Sequence, residues 1–127
     1  MYLILEDALE LYAAIIDASP GQAADHLRNR SGLEGALARP ATYAHYQRAD
    51  LALQAAVLAH GIAEGQFFVD ANKRLALVAM LTFLELNGYR VQASDPELAE
   101  WILDLAAGTT PEALAERIRA ALTAIPG

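Results

Sequence analysis

Apolar residues recur along this chain at helical spacing, in stretches rich in alanine and leucine, and nowhere do they alternate with polar residues for long enough to read as a strand. The pattern predicts an all-α protein, a compact single-domain bundle of about six helices. The first helix runs from about Leu5 to Asp17, with Glu6 and Asp7 in its first turn, a poor cap at Ile4, and ASPG (Ala18 to Gly21) ending it. The second starts at Ser31, where SGLE supplies a capping box, and is expected to stop near Arg39 because Pro40 follows. The segment PATYAHYQRAD then reads as a loop, and Asp50 caps a third helix that Gly65 breaks.

The fourth helix begins near Asp70 or Ala71 and ends at Asn87 and Gly88. Its body, LALVAMLTFLEL, is apolar on nearly every side, which predicts a buried central helix with the others packed around it. SDPE, Ser94 to Glu97, is a second capping box and opens the fifth helix, and TTPEALAERIRAALTAI forms the sixth. No linker, repeat or low-complexity segment divides residues 1–127, so one domain is expected.

Composition narrows the classes of function. With 55% hydrophobic residues in a chain of 127, one core can form without disulfides, and the chain has no cysteine for a disulfide framework or a thiolate zinc site. The opening MYLILEDALEL lacks a basic n-region, and no apolar run approaches the roughly 18 residues of a membrane span, so a soluble, cytoplasmic protein without membrane attachment is expected. A net charge of -7 argues against a nucleic-acid surface, which needs lysine and arginine to displace counterions, and favours a basic partner segment. Against that background the single lysine, Lys73, stands beside Arg74.

Both cations fall at the start of the fourth helix, in the stretch EGQFFVDANKR, Glu64 to Arg74. The first N–H groups of a helix have no internal partners and its dipole favours negative charge there, so the place suits a phosphate group. Lys73 and Arg74 add formal charge, and Asn72 can donate from its side chain. Asp70 would repel phosphate unless a magnesium ion lay between them, since Mg²⁺ takes one or two carboxylates together with phosphate oxygens. The bland alternative is that Asp70 only caps the helix while the two cations reach into solvent; pattern alone leaves both readings open.

The stretch FFVDANKRLALVAMLTFLELNGYRV, together with LEDALELY and GLEGALARP, resembles the Fic/Doc (Fido) family, and within it the Doc (death-on-curing) toxin branch. The family pattern there is His-x-Phe-x-Asp-(Ala/Gly)-Asn-Lys-Arg, an apolar helix and Asn-Gly-Tyr. The resemblance implies the Fido fold and gives Phe68 a packing role that fixes the loop, Asp70 a magnesium role, and Asn72, Lys73 and Arg74 phosphate roles, with Ala71 keeping the turn small. It implies ATP and Mg²⁺ as cofactors, transfer of the terminal phosphate to a threonine of elongation factor Tu, and a Phd-like antitoxin as partner. The adenylyl-transferring branch usually has Gly-Asn-Gly-Arg, so Lys73 favours the Doc branch.

Gln66 departs from this pattern, standing where the family has its catalytic histidine. Histidine titrates near neutrality, whereas a glutamine amide cannot take up a proton, and losing a general base typically costs about 10² to 10⁴ in rate. The expectation is a Doc-type toxin inactive or only weakly active in this form. A non-catalytic nucleotide- or antitoxin-binding module is the alternative, and an adenylyl transferase a weaker one. Of the other histidines, His60 reads as an ordinary helix residue, and His26 and His45 as loop residues. His45 is the better replacement base if Pro40 to Arg48 forms a flap beside the site, where Tyr43 and Tyr46 would clamp a peptide.

Overall fold

A computed structural model describes the whole chain, Met1 to Gly127, as a helical bundle with one small two-stranded antiparallel sheet. In chain order the elements are α1 (Leu5–Ile15), α2 (Pro20–Asp25), α3 (Arg30–Gln47), α4 (Leu51–Gly65), α5 (Asn72–Leu86), β1 (Tyr89–Val91), α6 (Asp95–Ala106), α7 (Pro111–Ala121) and β2 (Leu122–Ala124). The all-α class stands, and no helix is long and apolar enough to cross a membrane.

Most helix starts follow from local chemistry, although α3 is capped by Asn29 and not by the expected Ser31 box: the Asn29 Oδ1 accepts from the Gly32 amide at 2.9 Å, and Ser31 lies inside the first turn. The side chain of Asp50 accepts from the Leu53 amide at 2.9 Å, Ser94 and Glu97 form the reciprocal box, and Thr110 accepts from Ala113 with Pro111 in the first turn. Ile4 supplies no cap of its own, so Asp7 reaches back to accept from the Ile4 amide at 2.8 Å. The ASPG stretch does more than end α1. Ser19 and Gln22 exchange two hydrogen bonds around Pro20 and begin the short α2, a box that the sequence carried as S-x-x-Q.

Three expectations about where helices end are corrected. α3 does not stop at Arg39 but continues through Pro40 to Gln47, where Arg48 turns left-handed at φ 52°. An interior proline typically costs about 3 kcal/mol, because it removes one ladder bond and crowds the preceding turn. Pro40, however, shares a stripe with Leu33, Ala36 and Leu37, and all four are buried, so the ring serves as core. As a second correction, Pro40 to Gln47 is therefore helix and no flap, and His45 and Tyr46 lie exposed on its last turns, their rings edge to face at 4.6 Å. The third concerns the last helix, which ends at Ala121 rather than Ile125. Leu122 to Ala124 turn extended and pair antiparallel with Tyr89 to Val91, in the register Arg90 to Thr123.

The central helix is α4 and not, as expected, the LALVAMLTFLEL helix: burial is deepest in α4, where Ala52, Ala55, Ala56 and Ala59 keep the surface low enough for α3, α5, α6 and α7 to pack against it. α5 lies beside it with Leu75, Ala79, Met80 and Phe83 inside, while Leu77, Val78 and Leu81 are only half-buried. The two helices are consecutive, and the turn that joins them carries the stretch Gln66 to Ala71.

Candidate functional site

The turn between α4 and α5 is held by two phenylalanines and one asparagine. Gly65 is the last residue of α4, and Gln66 reverses the chain in the left-handed region at φ 48°, ψ 51°. Phe67 folds back over the glycine: a Cβ on Gly65 would lie 2.0 Å from the Phe67 ring, and one on Gly32 would lie 2.7 Å from it. Only glycine fits beneath that ring. Phe68 points into the core and stacks on Tyr12 of α1, with ring centroids 3.8 Å apart and planes 12° from parallel.

The backbone of this turn is paired on both sides. Along one edge, Arg28 donates to the Phe67 carbonyl at 2.7 Å and Val69 donates to the His26 carbonyl at 3.1 Å, so Leu27 and Phe68 sit opposite each other as a single antiparallel bridge. That leaves the N–H and C=O of Phe68 facing the other way. The Asn72 carboxamide meets both, its Oδ1 accepting from Phe68 N at 3.0 Å and its Nδ2 donating to Phe68 O at 2.9 Å. Asn72 thus behaves like a peptide group of a neighbouring strand.

Asp70 follows at the surface, tied to α1 by the Tyr12 hydroxyl, which donates to its Oδ1 at 3.0 Å and also lies 3.2 Å from its carbonyl oxygen. Burial, with the Asp70 carboxylate beside it, pushes the Tyr12 phenol up to about 12. Ala71 is left-handed at φ 59° and occupies the cap position of α5 with no side-chain hydrogen bond to the helix, so the first amides of α5 have no internal partner. Lys73 and Arg74 are exposed, and all three ion pairs of the chain lie elsewhere.

These groups share one open cleft of about 820 Å³. Gln66, Asp70, Asn72, Lys73 and Arg74 form its polar side, and Ile15, Ile16, Ala63, Val69 and Ala71 its apolar side. Every polar residue singled out between Gln66 and Arg74 is on this wall, while Phe68 lies beneath it as packing and Tyr43, His45 and Tyr46 lie away from it on α3. No histidine lines it: His60 is half-buried on α4, His45 stands on α3, and His26 packs near Tyr12 with its Nδ1 buried and unpaired.

A protein-family model described as the Fic/DOC family matches residues 2–84, well over half of the chain. The chain belongs to the Fic/DOC family. The matched segment contains every residue that lines the cleft, so the Fic/DOC assignment and the cleft concern the same part of the molecule. A comparison with curated proteins gives no match.

Sequence reasoning missed Tyr12, which lies behind Asp70 and not in the lining of the cleft. The available signal was its place on the core stripe of α1 with Leu5 and Ala8, because a buried phenol needs a polar partner and the residues three and four positions away, Ala8, Leu9, Ile15 and Ile16, offer none. The pairing of residues 26–29 with the turn left no such trace, since it depends on how α2 returns the chain.

Proposed function

We propose that this Fic/DOC chain is a Doc-branch domain that holds the phosphates of ATP at the start of α5, and that Gln66 leaves it without the base needed for transfer. The observation that carries this reading is the shared cleft, which joins two unpaired cations and an uncapped helix start to a residue-66 side chain that cannot titrate. The branch chemistry is phosphorylation of a threonine hydroxyl on elongation factor Tu, with arrest of translation.

In this reading Lys73 and Arg74 neutralise the phosphate charge, aided by the α5 amides and their dipole. Asn72 acts chiefly through its backbone and through the turn it shapes, because its carboxamide already serves Phe68. Asp70 fits a magnesium site of the kind completed by phosphate oxygens: its Oδ1 is engaged by Tyr12, its Oδ2 has no hydrogen-bond partner, and no cluster of three acidic or histidine side chains surrounds it. Bound Mg²⁺ would supply charge neutralisation on the transferred group. Gln66 can accept a hydrogen bond and orient a hydroxyl, but it leaves the proton where it was.

The test is Gln66→His, with growth measured in a bacterial host and both purified proteins incubated with elongation factor Tu and ATP labelled at either the γ or the α phosphate. The γ label on the factor only with histidine supports the reading. The α label would make the chain an adenylyl transferase, and equal transfer by the Gln66 protein would show that the base lies elsewhere. Failure of both proteins to transfer label while both bind ATP favours a binding module.

A second surface supports the partner part of this reading. Tyr2, Leu3, Ile4, Leu5, Leu37, Ala38 and Ala41 line a largely apolar groove of about 290 Å³ together with Glu34, and Tyr2 and Ile4 of that lining are exposed. An amphipathic basic segment, such as that of a Phd-like antitoxin, matches this surface and the net charge of -7. Co-purification with the product of an adjacent gene tests it, and loss of the complex in Ile4→Asp would locate the contact.

A further inference from the structure

We propose that Tyr12 is a positioning residue for Asp70, fixing through its hydroxyl which carboxylate oxygen is presented to a divalent cation bound with a nucleotide. This rests on the reading of Asp70 as the metal-facing carboxylate. Tyr12 is fully buried, and phenylalanine would serve equally well for its stack on Phe68. The hydroxyl is therefore the informative atom. Its partners are the two Asp70 oxygens, Oδ1 at 3.0 Å and the carbonyl at 3.2 Å.

The geometry has a directional result. Asp70 is exposed and follows a turn residue, so without a tie its side chain would sample several rotamers. With Oδ1 and the backbone carbonyl both held by one rigid phenol, Oδ2 is the oxygen without a partner in a residue that lines the cleft. Tyr12 is anchored on α1 and by Phe68, so the carboxylate position is set by the core and not by the loop. Groups that orient a metal ligand in this way typically contribute about 10- to 100-fold in metal affinity.

The experiment is calorimetry of ATP binding with and without Mg²⁺ for the wild-type chain, Tyr12→Phe and Asp70→Asn. The wild type is expected to bind more tightly when Mg²⁺ is present, and Asp70→Asn to lose that increment. Tyr12→Phe should lose about 10-fold of it, the lower end of the range for such groups, while binding ATP alone as the wild type does. If Tyr12→Phe keeps the whole increment and Asp70→Asn loses it, the positioning role is wrong and the metal reading stands. If both variants keep it, Asp70 does not face the metal and both ideas fall. Equal weakening of ATP binding with and without Mg²⁺ in Tyr12→Phe would reduce the hydroxyl to a structural role and overturn the proposal. No ATP binding by any protein would remove the nucleotide site itself.

Discussion

Asn72→Ala isolates the device that holds the α4–α5 turn closed. The substitution removes an acceptor for Phe68 N and a donor for Phe68 O, both part-buried, and places alanine, a good helix former, at the first position of α5. Two hydrogen bonds at a net value of about 1 kcal/mol each give a loss of about 2 kcal/mol. The loss would approach about 4 kcal/mol if water could not reach the exposed amide and carbonyl of Phe68. Urea unfolding followed by circular dichroism measures the change, and amide exchange locates it. Phe68 N–H should lose protection, while amides in the middle of α4 should fall only by the global difference. Asn72→Asp keeps an acceptor for Phe68 N but sets a carboxylate oxygen against the Phe68 carbonyl, so it should not restore the wild-type stability. A loss below about 0.5 kcal/mol with Phe68 still protected would refute the idea that the carboxamide acts as a strand substitute.

Further outcomes follow from the same geometry. Gly65→Ala should cost about 1 to 3 kcal/mol, because its Cβ would meet the Phe67 ring at 2.0 Å; an unchanged thermal midpoint would mean that the ring moves away freely. Ala71→Gly should raise stability by about 0.5 kcal/mol, as relief of the left-handed alanine exceeds the entropy cost of glycine, whereas Ala71→Val should lower it, both read by urea unfolding. Asp50 is held below the usual carboxylate range, first by the hydrogen bond from Arg119 and then by its cap bond to Leu53, against the opposing effect of burial. Its folded pKa being depressed, that stabilisation is complete above the unfolded value of about 3.9 and is lost as pH falls through the lower folded value. Asp50→Ala should therefore cost about 1 kcal/mol at pH 7, mostly from the cap because the pair is half exposed, and the gap should narrow in acid unfolding series.

The legible parts of the fold were those encoded by neighbours in sequence. Asp50, Ser94 and Thr110 cap their helices through bonds to residues three positions on, which is why those starts could be read directly. Pro40 could not, because its local preference to end a helix was overridden by burial of its ring on the α3 stripe, a tertiary effect. The same holds for the chain end: Leu122 to Ala124 continue a helical pattern and become a strand only because β1 offers them an edge. At the site, Lys73 and Arg74 were visible by their rarity and position. The other task of Asn72 and the part played by Tyr12 were not, since both depend on where Phe68 and Asp70 lie after folding.

The turn bears the cost of two left-handed non-glycine residues, Gln66 and Ala71, about 1 to 2 kcal/mol each. What opposes that cost is Phe67 seated over Gly65 and Gly32, Phe68 stacked on Tyr12, the pairing with residues 26–29, and the Asn72 carboxamide. None of these contacts uses the side chain of Gln66. The uncapped start of α5 and the shape of the cleft are therefore maintained whatever residue 66 can do with a proton. The left-handed backbone at 66 also accepts histidine well, one of the residue types enriched in that region, so substitution there changes proton chemistry while leaving the supporting contacts in place. In the proposed reading, phosphate binding and proton abstraction are separable, because the start of α5 would carry the first and the side chain at position 66 the second.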